Sequence, residues 1–141
     1  MRISIGLVLI LIFVFLSVVH LYWAFGGKNW KTATIPTNSN NKPLIKPGAF
    51  DCLAVAAGLL CFGFFIAARS GIIVAILPAW LSRWGLWVIS AIFLLRAIGD
   101  FKYLGFFKTV KNTQFGKMDT IFYSPLCLLI GVLGAVLVLM G

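Results

Sequence analysis

Residues 84–100 read WGLWVISAIFLLRAIGD, and the fold turns on how this run meets a bilayer. From Trp84 to Leu95 there are 12 uncharged residues, about 18 Å of helix at 1.5 Å per residue. A hydrocarbon core is roughly 30 Å thick. A span that starts at the interfacial tryptophans Trp84 and Trp87 therefore has to run on through Arg96 and Asp100 to about residue 105. That reading places the Arg96 guanidinium beneath the lipid headgroups.

The rest of the chain makes the bilayer the natural solvent. Of 141 residues, 62% are hydrophobic and 11% charged, against about 25% charged in an average soluble domain. A soluble domain this short leaves too much of its surface wet to hide that apolar content. The composition excludes an ordinary soluble globule, a disordered chain and a disulfide scaffold.

Three further runs complete an all-α, integral membrane four-helix bundle, a single transmembrane domain over residues 1–141. Residues 3–25 give about 34 Å of helix. Arg2 ahead of them suggests a signal peptide, but the run is longer than a typical signal core, and His20, Tyr22 and Trp23 stand where small cleavage-site residues are expected. It is read as a permanent span. The second span covers 51–69, with Ala54-xxx-Gly58 as a close-packing face. The short apolar piece Ile72–Leu81, broken by Pro78, either extends it or lies in the interface. The fourth span covers 120–140, with Gly131-xxx-Ala135 as a second small-residue face and Pro125 in its first turns, where a missing N–H costs little. Residues 26–49 hold three prolines and the run Asn38–Asn41, helix-breaking chemistry in a connection long enough to fold back as a cap.

The net charge of +9 is topogenic on this reading. All eight lysines fall in the first and third connections, while Arg2, Arg69 and Arg83 mark the termini and the middle one. The asymmetry puts the lysine-rich loops in the cytoplasm and both termini outside. No nucleic-acid motif competes with it. Cys52, Cys61 and Cys127 form no CxxC pair and read as small buried hydrophobes.

The polar residues converge at one end. His20 and Arg96 close the first and third spans, Asp51 and Asp119 open the second and fourth, and Asp100 lies between. An intramembrane charge is expensive and needs a partner or water. Arg96 has three choices: Asp100 one turn on, or Asp51 or Asp119 across helices. Arg-then-Asp at i, i+4 is the weaker orientation, which favours an interhelical partner. One reading of this cluster is a structural ion pair. The other is a polar pocket in which Arg96 and His20 bind an anionic group such as a lipid headgroup or small carboxylate. Tyr22, Trp23, Trp30, Tyr103, Phe106 and Phe107 flank the same face, as an interfacial belt or as pocket walls. A faint two-fold repeat relates the hairpins: a basic group, a tyrosine, four lysines, then an aspartate. No nucleophile triad, HExxH or metal-ligand spacing is present, so no catalytic residue, metal or cofactor is assigned, and one His cannot supply two haem ligands.

Three stretches together resemble a known family. They are His20–Gly27 (HLYWAFGG), Arg96–Phe101 (RAIGDF) with Gly105–Lys108 (GFFK), and Asp119 with Tyr123-Ser124-Pro125. They look like a family of small bacterial four-span membrane proteins catalogued as a domain of unknown function, number three-nine-nine-five. The resemblance covers essentially the whole chain. It implies a four-span protein of a bacterial plasma membrane and carries no activity with it. It points to His20, Tyr22, Trp23, Arg96, Asp100, Asp119 and Tyr123 as candidate ligand-binding residues. The expected function is binding of an anionic or amphipathic small ligand, or a lipid headgroup, near the cytoplasmic helix ends. A small-solute or proton-coupled transporter, as a homo-oligomer, and a lipid-modifying membrane enzyme are the alternatives.

Overall fold

The computed structural model describes residues 1–28, 31–40 and 42–141. In chain order the helices are α1 (Arg2–Ala24), the single turn α2 (Lys31–Thr34), α3 (Ala49–Arg69), α4 (Ala79–Ile98) and α5 (Gln114–Leu139). All but α2 are long and apolar enough to cross a bilayer. Among the described residues there is no strand, only one bridge between Thr37 and Pro43.

The bundle is two helical hairpins, α1 on α3 and α4 on α5, joined side by side. On α1, Gly6, Leu9, Phe13 and Ser17 are buried, a stripe at helical spacing. Ser17 Oγ donates to the Ala56 carbonyl at 3.0 Å, fixing the register of the first hairpin. The facing stripe on α3 is Cys52, Ala56, Leu59, Gly63 and Ile66. Ala54-xxx-Gly58 is therefore not the packing face. Ala54 is two residues from that stripe, about 200° around the helix; it is exposed, and a Cβ built on Gly58 would meet nothing. In the second hairpin Gly131 does serve close approach, against Leu94, and Gly134 does the same against Ser90. Phe13 reaches between the hairpins to Phe93, centroids 5.5 Å apart. The core of Leu9, Phe13, Leu59, Phe65, Ile66, Leu86, Ile89, Ile130 and Leu137 fills the bundle. The three cysteines are free; Cys52 is buried, but Cys61 is exposed on the outer face of α3 and so is not the buried hydrophobe expected.

Two helix boundaries differ from the sequence reading. The third span does not run from 84 to 105. It starts at Ala79, just after Pro78, and stops at Ile98, because Gly99 takes a φ of +89° that ends the helix. Arg96 thus lies in the last turn, and the mostly apolar residues 101–107 belong to a loop. The fourth helix begins at Gln114, capped by Thr113 Oγ1, which accepts from the Gly116 N–H at 2.9 Å. Pro125 is therefore well inside it. A proline there cannot donate to the carbonyl four residues back and crowds it. The helix widens ahead of Pro125 into a π turn, Asp119–Tyr123, with the Ser124 N–H reaching back to the Asp119 carbonyl.

The connection after α1 folds back over the bundle. Asn38 and Lys42 are joined backbone to backbone at 2.9 Å, and Leu44 returns to the Pro36 carbonyl at 2.9 Å. α2 packs on the start of α5. Asp51 caps α3 by accepting the Gly48 N–H at 2.8 Å. Trp30 and Asn41 lie outside the described residues.

Candidate functional site

The site is built by the loop that follows α4. The backbone crosses itself there. A Cβ on Gly99 would collide with the Leu104 carbonyl, and one on Gly105 with the Ile98 carbonyl. Both glycines have positive φ, +89° and +83°, which only glycine adopts at no steric penalty. Asp100 ties the loop by accepting the N–H groups of Lys102, Tyr103 and Leu104 at 3.0, 2.7 and 2.8 Å. Its slight burial pushes its carboxyl up, but those three donors prevail and hold it below the ordinary value of 3.8. The crossing turns the Gly105 N–H inward.

That N–H meets Asp119, which the π turn carries and which is fully buried. Asp119 Oδ2 accepts from Gly105 at 2.8 Å and from Lys108 Nζ at 3.0 Å; Oδ1 accepts from Arg96 Nη2 at 2.8 Å. Lys108, also fully buried, gives its remaining protons to the Gly105 carbonyl at 2.9 Å and Thr120 Oγ1 at 2.6 Å. All three ammonium donors are thus satisfied. Two cations around one anion leave the cluster with one surplus positive charge. Arg96 is its outward member, with its side chain 29% exposed and Nη1 buried without a partner among the described residues.

Arg96 stands on the wall of a cavity of about 570 Å³ between the hairpins. α1 contributes Leu16, Val19 and His20, α3 contributes Cys52 and Val55, and α5 contributes Phe122, Tyr123 and Leu126. Ile35, Ile45 and Pro47 from the folded-back connection form its roof. His20 Nδ1 donates to the Leu16 carbonyl at 2.7 Å, which leaves Nε2 with no partner among the described residues. The His20 ring meets the edge of Trp23 at 5.1 Å. Tyr123 stacks on Phe115 at 6.1 Å.

Of the seven residues singled out from sequence, His20, Trp23, Arg96 and Tyr123 line this cavity. Asp119 stands directly behind Arg96. Tyr22 does not reach the cavity; it is exposed and lies against Gly27. Asp100 does not either. A continuous helix would have set it one turn beyond Arg96, but the helix has already ended at Gly99. Asp119, not Asp100 or Asp51, takes Arg96. Lys108 was missed as a site residue. It reads as one more loop lysine, and the signal that could have found it was the scarcity of acids, which leaves a buried Asp119 looking for every available cation. Among the described residues no three His, Cys, Asp or Glu side chains converge as metal ligands would.

No match is found among curated proteins or solved structures. The motifs that fold the Gly99–Gly105 crossing and the π turn lie inside a match to a known family. Over residues 13–134 the chain fits "Protein of unknown function (DUF3995)", and it belongs to that family as a four-span, all-helical membrane protein.

Proposed function

We propose that the protein binds an anionic amphiphile, its charged head on Arg96 and His20 and its apolar body along α1, α3 and α5. The observation that carries this reading is Arg96 Nη1, buried and without a partner, on the wall of a cavity otherwise mostly apolar. A guanidinium held by Asp119 at one nitrogen keeps its other donors aimed in a fixed geometry, which suits a carboxylate or phosphate. A hydrogen bond of this charged kind contributes about 1.5–3 kcal/mol. Phe15, Val55 and Phe122 line the cavity yet are 60%, 46% and 51% exposed. An open side at that level lets a lipid-soluble molecule enter from the bilayer. The packed core beyond Phe13 supports a blind pocket over a transport path. The same reading sets the protein in a bacterial plasma membrane with its lysine-rich loops cytoplasmic.

The test is purification in native-lipid particles, followed by mass spectrometry of what travels with wild type, Arg96→Gln and Val19→Phe. Asp119 keeps Lys108 in Arg96→Gln, so the fold survives, as circular dichroism will show. An anionic amphiphile present with wild type and depleted in both variants supports the reading. Identical bound species at equal yield in all three overturn it.

A further inference from the structure

The opposite end of the bundle presents a different chemistry. Arg2, the first residue of α1, and Arg69, the last of α3, lie at the same level and border one hollow with Ser70 and Gly71. Arg2 Nη2 donates to the Arg69 main-chain carbonyl at 2.8 Å. Among the described residues no acidic side chain pairs with either charge. The three acids of the chain are Asp51, Asp100 and Asp119, and all belong to the far end, at the start of α3, in the loop after α4 and in the π turn. Three buried polar atoms here have no partner among the described residues: Arg2 Nε, Arg69 Nε and Ser70 Oγ. Ser70 is only 4% exposed, so water does not readily replace the missing bond. Arg2 also sits at the positive end of the α1 dipole, where an anion is stabilised and a cation is not.

We infer that Arg2 and Arg69, at the hollow beside Ser70, form a phosphate-binding site. Two guanidinium forks match the donor needs of a phosphate group. The helix ends place them where the phosphates of a leaflet lie, and a basic hollow between transmembrane helices at that depth suits a phospholipid headgroup. Free phosphate offers the same chemistry. The site is separate from the Arg96 cavity and does not depend on the reading given to it.

Native mass spectrometry of the delipidated full chain tests this, with phosphatidylglycerol and with a galactosyl diacylglycerol of matched chains that lacks phosphate. Phosphatidylglycerol is expected to bind wild type well above the galactolipid. Arg2→Gln and Arg69→Gln should each weaken it by about tenfold, the scale of one charged hydrogen bond. Arg83→Gln lies at the same end but outside the hollow and should leave binding unchanged, and every comparison is repeated in an Arg96→Gln background so that binding at the other cavity does not enter it. Millimolar inorganic phosphate that displaces the lipid identifies free phosphate as the source, and failure to displace it identifies the headgroup; the phosphate chemistry stands in both. Equal binding of the two lipids by wild type overturns the inference without any variant having to fold. So does an Arg83→Gln loss as large as that of Arg69→Gln, which would mean diffuse charge in place of a site.

Discussion

Replacing Asp119 with alanine removes the one anion between two cations, and the structure says how unevenly they will suffer. Arg96 is 29% exposed and can swing toward water, whereas the Lys108 side chain is fully enclosed. Stripping the partner from a buried charge costs about 3–5 kcal/mol, or roughly two to four powers of ten in the unfolding equilibrium. Lys108→Met is milder. It removes the bonds to the Gly105 carbonyl and Thr120, but leaves Asp119 held by Arg96 and the Gly105 N–H. The expected loss is about 1–3 kcal/mol. Asp119→Leu combined with Lys108→Met should then be more stable than Asp119→Ala alone, because no enclosed charge remains. Unfolding in mixed micelles, titrated with dodecyl sulfate and followed by circular dichroism, ranks the three. A ranking in which the double variant is the least stable, or in which Asp119→Ala unfolds with wild type, refutes the ionic account of this cluster.

Gly105→Ala should destabilise by about 2 kcal/mol or more, through its positive φ and the collision with the Ile98 carbonyl; a melting point equal to wild type in detergent contradicts the crossing. Asp100 titrates below 3.8 when folded, so its hold on the loop is present above that pH and is lost as the pH falls through the folded value. Hydrogen exchange at the amides of residues 102–104 should quicken in that window, and Asp100→Ala should remove the pH dependence. Ser17→Ala deletes the bond to the Ala56 carbonyl and should cost about 0.6 kcal/mol, the average for such bonds inside membranes; a loss of several kcal/mol would mean Ser17 does more than link the two helices.

The helix count was legible because apolar length alone decides it. The interhelical partner of Arg96 was legible, since a chain with three acids offers few pairs. The third helix gains its length upstream, at Ala79, and not by running on through Asp100. Residues 101–107 are mostly apolar without being helical, Lys102 apart, and hydropathy does not distinguish a spanning helix from a loop pressed onto a bundle end. Gly99 and Gly105 are ordinary as letters; their role comes from two backbone segments that meet in space. Lys108 was hidden for the opposite reason. A lysine between spans is normally solvated, and only the π turn brings Asp119 within its reach.

That turn also settles a matter of phase. In a regular α-helix Asp119 would point about 120° from Gly131 and about 60° from Gly134, at 100° per residue. One extra residue accommodated at Asp119–Tyr123 takes roughly 100° off both, leaving about 20° on one side and 40° on the other. The acid and the glycine seam then face α4 together, one meeting Arg96 and the other Leu94 and Ser90. Proline, by spoiling a single rung of the ladder, acts as a vernier that lets one straight rod satisfy two appointments at different heights.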